Sequence, residues 1–242
     1  MVSSEKSPSV APARPEIGPG PAGRDGSVLA GLELDIGPSH IGLMDPVSIS
    51  LLTICGLAEL ESHSTRRVTH VLSILDPGWP EPEAFRAYDP HHRTTLNFHD
   101  VIEPGPGLIL PSPEHVEAVL EFGRSLGKEA SERDGAHLLV HCHMGISRST
   151  AAMATLLAQH HPGEDEDRIF ARLLEIRPQD WPNSRMIGFA DELLGRGGRL
   201  TAALGRLYVR HLALYPGTGD FMQANGRARE VEMAVQSRLR LG

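Results

Sequence analysis

Cysteine is scarce in this chain: Cys55 and Cys142 are the two among 242 residues. Two thiols do not make a disulfide framework, so the core must stand without staples and the expected compartment is the reducing cytoplasm. Long hydrophobic runs are also missing. No stretch approaches the roughly 18 apolar residues needed to cross a bilayer, and no membrane partner is expected. Residues 1–27 lack a hydrophobic core and mix acids with bases, unlike a signal or transit peptide. Basic charge is short as well. Twenty-three Lys and Arg face 31 Asp and Glu, a formal charge of −8. Gripping nucleic acid needs clustered cations, so that function is not expected, although a single small anion pocket is compatible with the balance.

What the chain does have is a 40% hydrophobic composition, enough for a sizeable core. Residues 1–27 are rich in Pro, Gly and Ser and hold no aromatic side chain, and are read as a disordered tail. Ile49 to Cys55 and Val68 to Leu75 read as buried strands, with a short helix starting at Gly56 between them. Thr94 to Phe98 is a weaker strand. Ser112-Pro113-Glu114 places a cap, a first-turn proline and an acid at the start of a helix that runs to about Glu129. Ala136 to His141 is the next strand. Helices are expected over Arg148 to His160, Asp165 to Ile176, Asn183 to Leu194 and Leu200 to Leu214, with a last polar helix from Arg227 to Leu239. This order predicts an α/β fold, a central mainly parallel sheet flanked by helices, with a C-terminal helical extension. The divisions expected are 1–27 tail, 28–198 catalytic domain and 199–242 extension, the last packing on the domain or pairing with another subunit.

The stretch HLLVHCHMGISRST, residues 137 to 150, carries the chemistry. An apolar strand ends at Cys142, a loop with Gly145 follows, and Arg148 opens a helix. Attack on a phosphate ester by sulfur needs a thiolate, although a free cysteine has a pKa of about 8.5. It also needs donors already aimed at the phosphate oxygens. Backbone N–H groups from His143 to Arg148, through Met144, Gly145, Ile146 and Ser147, can curl around one centre at the positive end of the helix. Arg148 adds a planar fork suited to phosphate. Such surroundings lower a cysteine pKa to roughly 3.5–7.5. The rival readings are an inert buried thiol and a metal site. Adjacent residues on a strand point to opposite faces, so His141, Cys142 and His143 do not readily converge on one ion, and no second Cys/His pair has zinc spacing. Cys55 reads as a small buried hydrophobe.

His141-Cys142, Gly145 and Arg148-Ser149-Thr150 form the pattern HCxxGxSRS, which resembles the signature loop of the protein tyrosine phosphatase superfamily. The dual-specificity branch is the nearest match, and the Gly/Ala-rich style from Arg185 to Arg196 resembles bacterial members. The resemblance covers roughly residues 49 to 194. It implies Cys142 as nucleophile, Arg148 as phosphate holder and Ser149 as a donor that helps the thiolate leave. It implies that His141 braces the loop, and it implies no cofactor and no metal. A protective disulfide between Cys55 and Cys142, as in some phosphatases, is a further possibility raised by the likeness.

The departing oxygen needs a proton. In the resembling family an Asp on a loop upstream supplies it, and Asp100, at the end of Leu96-Asn97-Phe98-His99, is the choice here. Glu103 and Asp76 are runners-up. Asn183, in a segment resembling the family's R…PN, is expected to cap its helix beneath the loop. Trp181 reads as core, while Trp79 or Tyr88 is a candidate pocket wall. No Lys lies in the loop, which disfavours highly phosphorylated inositides. The expected partner is therefore a phosphorylated protein or a small phosphate ester. The rivals of a different class are a phosphate-binding pseudophosphatase of negligible turnover and a rhodanese-like sulfurtransferase.

Overall fold

The computed structural model of the protein describes residues 49–130 and 136–241; the expected tail, like residues 28–48, lies outside the described residues. Leu138-Leu139-Val140 lies in the interior of a four-stranded sheet. Its strands are β1 (Ile49–Cys55), β2 (His70–Leu75), β3 (His92–Asn97) and β4 (Ala136–His141), in the order β1-β4-β2-β3 with every pairing parallel. This is the α/β architecture that the alternation of elements predicts.

The two inner strands β2 and β4 are buried along their whole length, as parallel strands covered on both faces are. Alternate residues serve different cores. Leu72, Ile74, Leu138 and Val140 join the larger cluster, while Val71 and Leu139 face a smaller one with Cys55, Leu60 and Phe85. Each such side chain contributes about 1.5–3 kcal/mol by leaving water. The polar residues of β4 are paired rather than exposed. His137 bonds the Thr53 hydroxyl at 2.8 Å through Nε2 and the Arg66 carbonyl at 2.9 Å through Nδ1.

The larger face is covered by helices α1 (Pro113–Ala130), α2 (Arg148–His160), α3 (Glu166–Ile176), α4 (Ser184–Leu193) and α5 (Arg199–Leu214); α6 (Thr218–Ala224) and α7 (Ala228–Leu241) follow. Leu200, Leu204, Leu207 and Tyr208 of α5 and Val231 and Ala234 of α7 belong to the same cluster as Val140. The final helix is thus not polar all round: Glu230, Val231 and Ala234 are buried. The smaller face carries two 3₁₀ helices, Leu57–His63 and Glu83–Ala87. The first is the short helix expected at Gly56, which caps it. The second and α6 have no forecast in the sequence. β3 starts at His92, earlier than its apolar pattern suggests, because pairing with β2 rather than burial sets its extent. Among the described residues no helix is long and apolar enough to cross a membrane.

Candidate active site

All four strands deliver residues to one end of the sheet, the carboxyl end where open α/β sheets bind ligands. Gly56 follows β1, Asp76 follows β2, Phe98 to Asp100 follow β3, and Cys142 follows β4. β4 lies between β1 and β2, so the loop it feeds is walled on both sides.

The loop's carbonyls are bonded outward. Leu57 N–H donates to the His143 carbonyl at 3.0 Å and Trp181 N–H to that of Ile146 at 2.8 Å. Arg177 donates through Nε to the Gly145 carbonyl at 3.1 Å and through Nη2 to that of Met144 at 3.3 Å, and is itself held by Glu59 at 3.0 Å. The Ser147 carbonyl accepts from the Thr150 hydroxyl at 2.9 Å and from Asn183 N–H at 3.3 Å. In a trans peptide the N–H opposes the C=O, so the amides that follow these carbonyls turn toward the inside of the loop. One of them is seen to do so: Gly145 N–H donates to Cys142 Sγ at 3.3 Å. Gly145 has φ +69°, and a β-carbon there would stand 2.5 Å from the Cys55 carbonyl carbon. Only glycine fits between the loop and the end of β1.

Cys142 is 1% exposed, and its Sγ lies 3.2 Å from Ser149 Oγ. Arg148, in the first turn of α2, is 2% exposed. Its Nη1 donates to Asp76 Oδ1 at 2.6 Å and to the Phe98 carbonyl at 2.5 Å. Its Nε is buried, has no hydrogen-bond partner among the described residues, and stands 4.0 Å from Asp100 Oδ2. A buried donor left over beside inward amides is what an oxyanion would satisfy.

Asp100 is half-buried and heavily bonded through one oxygen. Oδ1 accepts from Ser147 Oγ at 2.7 Å, from Asn183 Nδ2 at 3.1 Å and from Arg227 Nη2. Burial pushes this carboxyl up. Arg227, then Arg148, and the hydrogen bonds of Ser147 and Asn183 outweigh it and hold the group below the usual carboxylate range. Asn183 also caps α4 as its sequence context predicts, accepting from the amides of Arg185 and Met186 at 3.1 and 3.2 Å.

The flanking histidines part company. His141 is fully buried, bonds Ser73 Oγ at 2.7 Å, and burial pushes it down to about 4. His143 accepts the Asp76 amide at Nε2, 3.2 Å away, and meets Trp79 edge to face at 4.3 Å. Burial lowers His143 as well, against the pull of Asp76. Trp79, against His143, and Met144, in the loop itself, are 47% and 59% exposed. Tyr88 instead lies in the smaller core, its hydroxyl donating to the Leu60 carbonyl at 2.6 Å. Of the two runner-up acids, Asp76 stands against Arg148, whereas Glu103 is exposed and faces Arg229 at 3.4 Å. Both cysteines are free, and burial followed by Glu59 pushes Cys55 up to about 12.

Arg227 and Glu230 are the residues that sequence reasoning missed. They form an i, i+3 ion pair at 3.1 Å, readable as such, but nothing local announces that Arg227 reaches Asp100. Trp181 is core, stacked on Tyr208 at 4.3 Å, and its indole N–H donates to Glu230 at 2.6 Å.

No family model matches the chain. Human protein phosphatase Slingshot homolog 3 is 28% identical over 148 residues, 60% of this chain; the chain spans 19% of that relative's length. Among solved structures, the Yvh1 phosphatase domain from Chaetomium thermophilum is 23% identical over 62% of this chain and 93% of its own, with a TM-score of 0.41. Human DUSP28 is 20% identical over 62% of this chain and 97% of its own, with a TM-score of 0.43. The human tyrosine phosphatase-like serine/threonine/tyrosine-interacting protein is 18% identical over 59% of this chain and 87% of its own, also at 0.43.

Proposed function

We propose that the protein is a cysteine-dependent phosphatase of the dual-specificity kind, acting in the cytoplasm on phosphotyrosine and on phosphoserine or phosphothreonine of proteins. The observation that carries this reading is the loop itself: Cys142 Sγ accepts an inward amide at 3.3 Å, and Arg148, in the first turn of the helix the loop opens, keeps a buried Nε without a hydrogen-bond partner. In the first step the Cys142 thiolate attacks phosphorus and Arg148 and the loop amides hold the oxygens. Asp100 gives its proton to the leaving oxygen. In the second, Asp100 takes a proton from water as it attacks the phosphocysteine, and Ser149 Oγ, 3.2 Å from the sulfur, stabilises the departing thiolate. The exposed Trp79 indole, packed against His143, suits an aryl ester. The experiment is phosphate release from an aryl phosphate in excess chelator. Turnover is expected to persist without metal and to stop in Cys142→Ser, and vanadate is expected to inhibit. A Cys142→Ser protein that still turns over overturns the assignment.

A second reading, a phosphate-binding module of negligible turnover, draws on the Arg148–Asp76 pair and on the ionised state in which Arg227 holds Asp100. A phosphopeptide that binds wild type tightly and is never hydrolysed favours it.

A further inference from the structure

The segment ahead of α7 contributes a buried side chain to the site. Arg227 is 6% exposed. Its Nη2 donates to Asp100 Oδ1, to the Asp100 carbonyl at 3.2 Å and to Ser147 Oγ at 2.9 Å. With Ser147 and Asn183, three donors converge on the same carboxyl oxygen. The other oxygen, Oδ2, takes none of these bonds and stands 4.0 Å from the unpartnered Nε of Arg148. One oxygen is anchored and one faces the phosphate cradle, which is the orientation a proton donor to the leaving group requires.

Arg227 is itself fixed. Its Nη1 donates to Glu230 Oε1 at 3.1 Å, and Glu230 also accepts from Ser184 N–H at 2.8 Å and from the Trp181 indole at 2.6 Å. Trp181 N–H in turn bonds the Ile146 carbonyl of the catalytic loop. The same side chain that anchors the helix therefore braces the arginine against the loop.

We propose that Arg227, braced by Glu230, is a positioning residue for Asp100: it pins Oδ1 and so directs Oδ2 at the oxygen that leaves phosphorus. The inference rests on the phosphatase reading and extends it to a segment beyond the resemblance. In the step concerned, the S–P bond of Cys142 forms, the P–O bond of the ester breaks, and the Oδ2 proton moves to the departing oxygen. The charges facing Asp100 are Arg227, Arg148 from α2 and His143 from the loop, with Asp76 behind Arg148. A phosphate dianion on Arg148 offsets one cation and brings negative charge to Oδ2. Substrate binding then raises the carboxyl toward the protonated form, with Arg227 holding its geometry meanwhile.

The test compares two esters in the full chain. Phenyl phosphate needs a proton on its leaving group, and 2,4-dinitrophenyl phosphate does not. Asp100→Asn is expected to lose about 100-fold or more in kcat/KM on the first and little on the second. Arg227→Met is expected to lose at least about tenfold more on phenyl phosphate than on the dinitrophenyl ester. Its alkaline limb is expected to move to higher pH, because removing the cation raises the acid. Arg227→Lys keeps the charge without the fork and is expected to recover part of the difference. Should Arg227→Met fail to fold by near-ultraviolet circular dichroism, Arg227→Lys against wild type carries the same comparison. Equal losses on the two esters overturn the positioning role while leaving the phosphatase reading intact. An Asp100→Asn protein with no leaving-group dependence overturns the acid assignment and this inference with it.

Discussion

Replacing Glu230 by alanine is expected to cost the protein a large part of its stability. The carboxylate is fully buried and serves three donors: Arg227 at 3.1 Å, Ser184 N–H at 2.8 Å and the Trp181 indole at 2.6 Å. Removing one partner of a buried ion pair costs about 3–5 kcal/mol. Each neutral donor left without an acceptor adds about 1–3 kcal/mol. The three belong to one network, so the terms do not add, and water entering the vacated space satisfies part of it. About 4–6 kcal/mol results, against a usual total of roughly 5–15 kcal/mol for a domain. Glu230→Gln retains one carbonyl oxygen and is expected to cost about half as much. Urea titration followed by tryptophan emission measures this. With a slope of about 2 kcal/mol/M, the alanine variant should unfold some 2–3 M earlier than wild type. A loss under about 1 kcal/mol, with Trp181 emission unchanged, would show that the three contacts are not coupled to folding.

Other consequences are equally checkable. Gly145→Ala must accept a left-handed conformation costing about 1–2 kcal/mol and push back the Cys55 backbone, so vanadate affinity should fall at least about tenfold. Gly163→Ala, whose β-carbon meets nothing within 4 Å, is the matched control and should change neither binding nor turnover. His141 titrates at about 4 in the fold against 6.5 for a free side chain. Between these values the unfolded chain binds the extra proton, so stability is complete above pH 6.5 and declines as pH falls toward 4. The full span amounts to roughly 3 kcal/mol. His141→Gln should flatten that part of a urea-midpoint profile, and an unchanged slope would contradict the buried neutral ring.

The parts of the fold that were legible in the sequence are those set by local physics. Ala136 to His141 is a short apolar run between polar neighbours, Arg148 to His160 follows a glycine-bearing loop, and Asn183 precedes a helical period; each forms the element expected. Less legible are elements that exist because something else packs on them. β3 has no apolar alternation and is drawn out by β2, and the 3₁₀ helix at Glu83–Ala87 is held by Phe85 in the smaller core. The convergence of Cys142, Ser149, Arg148 and Asp100 was readable because a motif and a strand end mark each. The contact between Arg227 and Asp100 spans 127 positions, and no periodicity or cap encodes it. Asp76 reads from the sequence as a runner-up acid, and its observed pairing with Arg148 depends on β2 and β4 being neighbours, which linear order conceals.

The place of Arg227 in the chain has a consequence for biosynthesis. It is made after Cys142, Arg148 and Asp100, and at about 5–20 residues per second the ribosome needs several seconds to travel from the loop to it. Once Arg177, Trp181 and Asn183 have been added, the nascent chain holds every residue that braces the loop around Cys142, but the arginine that bonds Asp100 from beyond α5 is still to come. With the positioning role proposed for Arg227, a fusion that unseats α7 is expected to disturb the Asp100 carboxyl without touching any residue of the loop.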